Sequence, residues 1–241
     1  MRTVLVWGLL AGLLGGLLAL GFASVFGEPP VEVAISLEEQ EHGAQPEEAP
    51  PVGRGVQRTV GLAIATCAFG VAVGGLFALA FAFAYGRIGR LGPRGTALVT
   101  AAIAFVAVAL VPFLTYPPNP PGVGREETIG DRTALYFAMV AISVLLAVAA
   151  IYGSRRLGGW LGAVASAVGY VVAVAVAAAL LPHFDEVPAG FPAQVLWEFR
   201  LASLGTQAVL WATIGVGFAV LLDREVRRFT ERGTGAGLAA G

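Results

Sequence analysis

Six apolar runs, near residues 3–26, 60–85, 95–114, 133–152, 160–181 and 204–222, take up most of this 241-residue chain. A helix needs roughly 20 predominantly apolar residues to cross a bilayer, and the runs meet or approach that length. Strands of a membrane barrel would alternate apolar and polar residues over about ten positions, and no such alternation is present. The expected fold is therefore all-α: a polytopic membrane helical bundle of about six transmembrane helices, forming a single integral membrane domain over 1–241. The opening Met1-Arg2, the first apolar run and Gly21-Phe22-Ala23 also fit a signal peptide with a small-x-small cleavage site. Cleavage would leave five spans. The length of the run favours a retained helix.

The charges between the runs sort by sign. Counted over alternate connections, one side carries ten Arg and three acids, the other five Arg and thirteen acids. Arg87, Arg90 and Arg94, then Arg155 and Arg156, occupy short connections, which the positive-inside rule places in the cytoplasm. Both termini are then expected inside (N-in/C-in), with 223–241 as a cytoplasmic tail. The acidic, Pro-rich connection 27–58 is expected outside as a loop, with 115–132 and 182–200. The implied location is the cell membrane, in contact with lipid.

Ligand chemistry is scarce. The chain has two His (His42 and His183), one Cys (Cys67, in an apolar run) and one Met (Met139) beyond the first residue. It has no phosphate-binding Gly-Lys-Ser/Thr loop, no His-Glu-x-x-His and no nucleophile elbow. The runs are nearly free of ionisable residues at mid-depth, where a proton-coupled pump would carry acids or histidine. An enzyme, a resident cofactor and a nucleic-acid partner are not expected. Gly12/Gly16, Gly70/Gly74 and Gly158/Gly162 are spaced to let helix backbones approach closely. A weak repeat pairs the hairpin turning at Tyr85-Gly86-Arg87 with the one turning at Tyr152-Gly153-Ser154-Arg155.

Three features of the outer connections carry candidate chemistry, each beside a plainer reading. Pro112, Tyr116, Pro117, Asn119, Pro120, Pro121, Gly122 and Gly124 lie in a proline-dense stretch expected to end its helix at Pro112 and continue as a stiff extended loop. Its carbonyls, with Asn119, would gate a cation path; the alternative is a rigid clip between helices. Arg58, Arg132 and Arg200 each stand at the expected outer start of a helix, where a cation opposes the macrodipole. Pairing with Glu126, Glu127, Asp131, Asp185, Glu186 or Glu198 would form an ionic collar; the alternative is snorkelling to lipid headgroups. His42, Glu38 and Glu39 in the first loop, and His183, Asp185 and Glu186 in the third, are candidate metal ligands, or solvated loop residues.

These loops carry a resemblance. Gly27-Glu28-Pro29-Pro30-Val31-Glu32 through Glu38 and His42, then Pro112-Phe113-Leu114 with Tyr116-Pro117-Pro118-Asn119-Pro120-Pro121-Gly122-Val123-Gly124, and Phe191-Pro192-Ala193 followed by Phe199-Arg200-Leu201-Ala202-Ser203-Leu204-Gly205 and Gln207, resemble the CbtA family. Pro118 stands where a small residue such as Ala is expected. The resemblance implies a subunit of a cobalt transporter linked to cobalamin genes, carrying Co²⁺, or Ni²⁺, as cargo. It also implies a small single-span, His-rich partner, CbtB. Two His and one Cys cannot build a closed nitrogen/sulfur site alone, which agrees with an incomplete subunit. The competing expectations are a non-transporting membrane scaffold or assembly protein, with 27–50 as a tether, and a channel for a small neutral solute.

Overall fold

In a medium without water, every backbone N–H and C=O must be satisfied within the segment, which a helix of Leu, Ala, Val and Gly does. A computed structural model describes residues 2–42, 52–88 and 91–238, with only the backbone for 41, 42 and 224–238. The described residues are mostly helical and contain no strand. The α-helices are α1 (Arg2–Phe22), α2 (Glu28–His42), α3 (Arg54–Val56), α4 (Leu62–Ala84), α5 (Pro93–Ala104), α6 (Val111–Thr115), α7 (Ile129–Leu157), α8 (Gly159–Leu180) and α9 (Ala193–Leu238). Among the described residues six continuous helical stretches are long and apolar enough to cross a membrane: Arg2–Gln40, Arg54–Ala84, Pro93–Thr115, Glu126–Leu157, Gly159–Leu180 and Ala193–Asp223.

Several boundaries differ from the sequence expectation. The first connection is not a loop from residue 27, because α2 continues helically to His42. Likewise Pro112 does not end its helix, which runs to Thr115. Both differences share a cause. A proline removes one N–H and its ring clashes with the carbonyl four residues back. Here π-helical turns at Ala23–Gly27 and Phe105–Leu110 come just before Pro29-Pro30 and Pro112. The Glu28 N–H reaches the Ala23 carbonyl and the Val111 N–H the Val106 carbonyl, one residue beyond the α-helical partner. The widened turn changes which carbonyl stands under the ring. A third π turn, Gln57–Gly61, joins α3 to α4.

The chain divides into two compact units. Unit 1 comprises Met1–Leu18, Ile64–Ala102 and Val209–Gly241; unit 2 comprises Ala19–Ala63 and Ile103–Ala208. In unit 1 a glycine seam joins α1 to α4. A Cβ on Gly8 would strike backbone at Gly74, one on Gly12 backbone at Gly70, and one on Gly16 backbone at Thr66 and Cys67. One number rises by four as the other falls by four, so the helices run antiparallel with their backbones touching. Beside the seam, α9 inserts Phe218, which meets Phe77 edge-on at 5.2 Å between ring centres and Phe81 at 4.9 Å. Ile214 and Phe218 are wholly buried.

In unit 2, α7 and α8 form a hairpin reversed by Gly158 (φ 68°) and Gly159 (φ 63°). The hydroxyls of Ser143 and Tyr170 bond across it at 2.8 Å. Gly158 therefore makes a turn and not a helix crossing; a Cβ on Gly162 would meet its own turn at Leu157. The α2 acids face the start of the next helical stretch, where Arg54 donates to Glu28 at 2.6 Å and Arg58 pairs with Glu32.

Candidate functional site

The proline-dense stretch leaves α6 at Tyr116, whose N–H closes the helix on the Pro112 carbonyl at 2.7 Å. Its phenol then donates to the Pro182 carbonyl at 2.9 Å, tying two loops together, and burial pushes the phenol's pKa up. A turn follows, in which the Val123 N–H donates to the Pro120 carbonyl (3.2 Å). Gly122 (φ 73°) and Gly124 (φ 115°) hold conformations that L-residues rarely adopt. Each is also crowded. A Cβ on Gly122 would come within 3.3 Å of the Glu38 Cβ, and one on Gly124 would collide with the Arg132 guanidinium. The loop is clamped at both ends.

Gly124 clears space for the Arg132 guanidinium, which reaches Glu186. The Glu186 side chain is 2% exposed, and its Oε2 accepts from Arg132 Nη1 and from the Arg125 backbone N–H, each at 3.2 Å. The nearby Thr128 hydroxyl, the Arg125 N–H and the charges of Arg132 and Arg125 hold the carboxyl below the ordinary carboxylate range, against the opposing push of burial. Arg125 Nε stays 3.8 Å from Oε1, and the Thr128 hydroxyl donates to the Arg125 carbonyl at 2.9 Å. Oε1 is thus buried without a hydrogen bond in normal range.

Arg200 lies two turns inside α9 and not at its start, because the helix begins at Ala193, directly after Pro192. The stretch from Ala193 to Glu198 has neither Gly nor Pro, and Gln194 donates to Glu198 at 2.8 Å, so nothing delays the helix until residue 200. Arg200 then donates from Nε to the Pro118 carbonyl (3.3 Å) and from Nη2 to Asn119 Oδ1 (3.0 Å). Those oxygens, considered above as a cation gate, face a guanidinium.

These groups open onto a cavity of about 550 Å³ within unit 2. Arg132, Arg200, Glu186, His183, Tyr136 and Gln207 are among its lining residues. Two guanidiniums against one carboxylate leave the lining one positive charge in excess before His183 is counted. The sequence reading assigned no site role to Tyr136, Ser203 or Gln207, although Ser203 and Gln207 lie in the segment that carries the family resemblance. The signal was there: Arg132 and Tyr136, and Arg200, Ser203 and Gln207, recur at helical spacing in otherwise apolar spans.

The structure brings only some of the expected groups together. Arg132 faces Glu186, Arg58 faces Glu32 instead of the acids expected for the collar, and Arg200 has no acidic partner among the described residues. Among the described residues no three His, Cys, Asp or Glu side chains converge as a metal-binding group. His183 and Glu186 line the cavity, whereas Glu39 and Asp185 do not. Glu38 instead lies beside Gly122. The side chain of His42 lies outside the described residues.

Residues 1–223 match the family model CbtA, described as "Probable cobalt transporter subunit (CbtA)". No curated protein and no solved structure matches the chain.

Proposed function

Because the chain belongs to the CbtA family of probable cobalt transporter subunits, we propose that it is the multi-span subunit through which Co²⁺ enters the cell, with Ni²⁺ as a second cargo. The observation that carries this reading is the extent of the match, which takes in all six membrane-capable stretches and every residue lining the cavity. The cytoplasmic membrane, with both termini inside, is the proposed setting. Thirteen acids then lie on the outer side, where their field raises the local cation concentration.

A transported transition metal is held best by imidazole or thiolate donors, and the described residues supply no converging set. A second, single-span His-rich protein of the CbtB type is proposed to contribute them. Glu38, Glu39, His42, His183 and Asp185 are proposed to capture the ion weakly before that hand-over. Glu186 is the least available of the candidates, because Arg132 already holds it. The test is accumulation of radioactive cobalt in cells carrying the full chain, the single-span protein, both or neither. Uptake that requires both supports the reading, with nickel competing. Equal accumulation in all four strains removes it.

A further inference from the structure

The excess positive charge on the cavity is awkward for a bare metal cation, and the cavity is also too large for one. A divalent ion with six waters occupies roughly 200 Å³, at about 30 Å³ per water, against about 550 Å³ here. Of the two guanidiniums, Arg132 is balanced by Glu186 at 3.2 Å. Arg200 meets only two neutral oxygens among the described residues, which use two of its five N–H donors. Gln207, at helical spacing on the same face of α9, and Tyr136 of α7 also line the cavity, and their side chains have no hydrogen-bond partner among the described residues. The lining therefore offers a half-buried guanidinium fork and further donors, with its one carboxylate already occupied. A guanidinium fork matches a carboxylate in a bidentate manner.

We propose that this cavity binds a small carboxylate-bearing ligand at Arg200 and Gln207, and that cobalt reaches it as a complex with such a ligand. The second clause rests on the transport reading above; the first does not. In a metal-carboxylate complex the ligand screens the ion from Arg132 and Arg200, and its outer oxygens supply the negative charge the lining lacks. The extra volume is then used by the ligand. Asn119 need not release Arg200, so the proline loop stays clamped while the site fills.

The probes are citrate alone, a one-to-one Co²⁺–citrate complex, cobalt chloride, inorganic phosphate and vesicles of anionic phospholipid, each titrated against the purified full chain. Citrate and its cobalt complex are expected to bind saturably and raise the melting temperature. Arg200→Gln should weaken both at least tenfold. Arg200 also pins the proline loop, so Gln207→Ala provides a second variant, expected to keep the ligand-free melting temperature and lose affinity several-fold. The site is overturned if neither citrate form binds, if both variants bind citrate as the native chain does, or if only phosphate or phospholipid binds. Binding of metal-free citrate but not of the cobalt complex overturns the second clause. Native-like citrate binding in a chain that supports no cobalt uptake removes the transport reading and leaves the site; uptake without citrate binding does the reverse.

Discussion

Unit 1 and unit 2 are built from the same few residue types, yet they are held together in different ways. In unit 1 the contacts are backbone against backbone along Gly8, Gly12 and Gly16, and aromatic rings around Phe218. Without a hydrophobic driving force between helices in lipid, such close approach is what dispersion can reward. In unit 2 the long-range ties are polar: Arg132 to Glu186, Arg200 to Asn119, Tyr116 to the Pro182 carbonyl and Ser143 to Tyr170. Close approach of backbones and rings dominates the first unit, which also carries an Arg94–Asp223 ion pair, and donor–acceptor matching is the prominent tie in the second. The second has a cavity with polar walls, and binding chemistry has room there.

The comparison breaks most visibly if the seam is filled. Gly12→Leu forces a side chain into the α4 backbone and should cost about 3 kcal/mol, read as loss of folded, monodisperse protein in detergent. Gly169→Leu, on α8 where an added Cβ meets nothing within 4 Å, should stay within about 0.5 kcal/mol of the native chain. Equal losses from the two would remove the seam as the determinant of unit 1.

A smaller effect is expected where unit 2 uses glycine for conformation. Gly124→Ala must hold φ 115° and displace Arg132, an expected loss of about 2 kcal/mol. Cavity function should suffer more than folding does. Unfolding temperature and citrate affinity, measured on one preparation, separate the two.

The smallest effect is the dependence on pH. The carboxyl of Glu186 is held below its ordinary range in the folded protein, so in that window the unfolded chain binds more protons. Its contribution is therefore complete above the ordinary glutamate value, about 4.3, and is lost as pH falls through the depressed folded value. Glu186→Gln should flatten that part of the acid limb of the unfolding curve. An unchanged limb would mean that the Arg132–Glu186 contact does not hold in solution.

The spans were legible because their signal is bulk composition over about 20 residues, which no local irregularity erases. The prolines at 29, 30 and 112 misled, because a π turn is set by backbone accommodation and leaves no residue-type signature. Gly12/Gly16 and Gly70/Gly74 read correctly as packing positions, whereas Gly158 has the same spacing but serves a turn. Spacing alone does not separate these uses; φ does. At the site, Arg132 and Glu186 were visible as partners by charge. Arg200 was misplaced with the start of α9, and Asn119 was read as a cation ligand because the guanidinium bonded to it is 81 positions away.

The antiparallel seam also has a mechanical consequence. If α1 turned and slid by one residue along its own screw against α4, Leu9 or Leu13 would arrive where Gly8 or Gly12 now touches backbone. The next register that offers glycine again is a whole four-residue step away. Steps shorter than that are blocked, so short of a whole-turn jump the pair tilts or travels as a single body. A working cycle in this protein must then find its moving part among helices without such a seam.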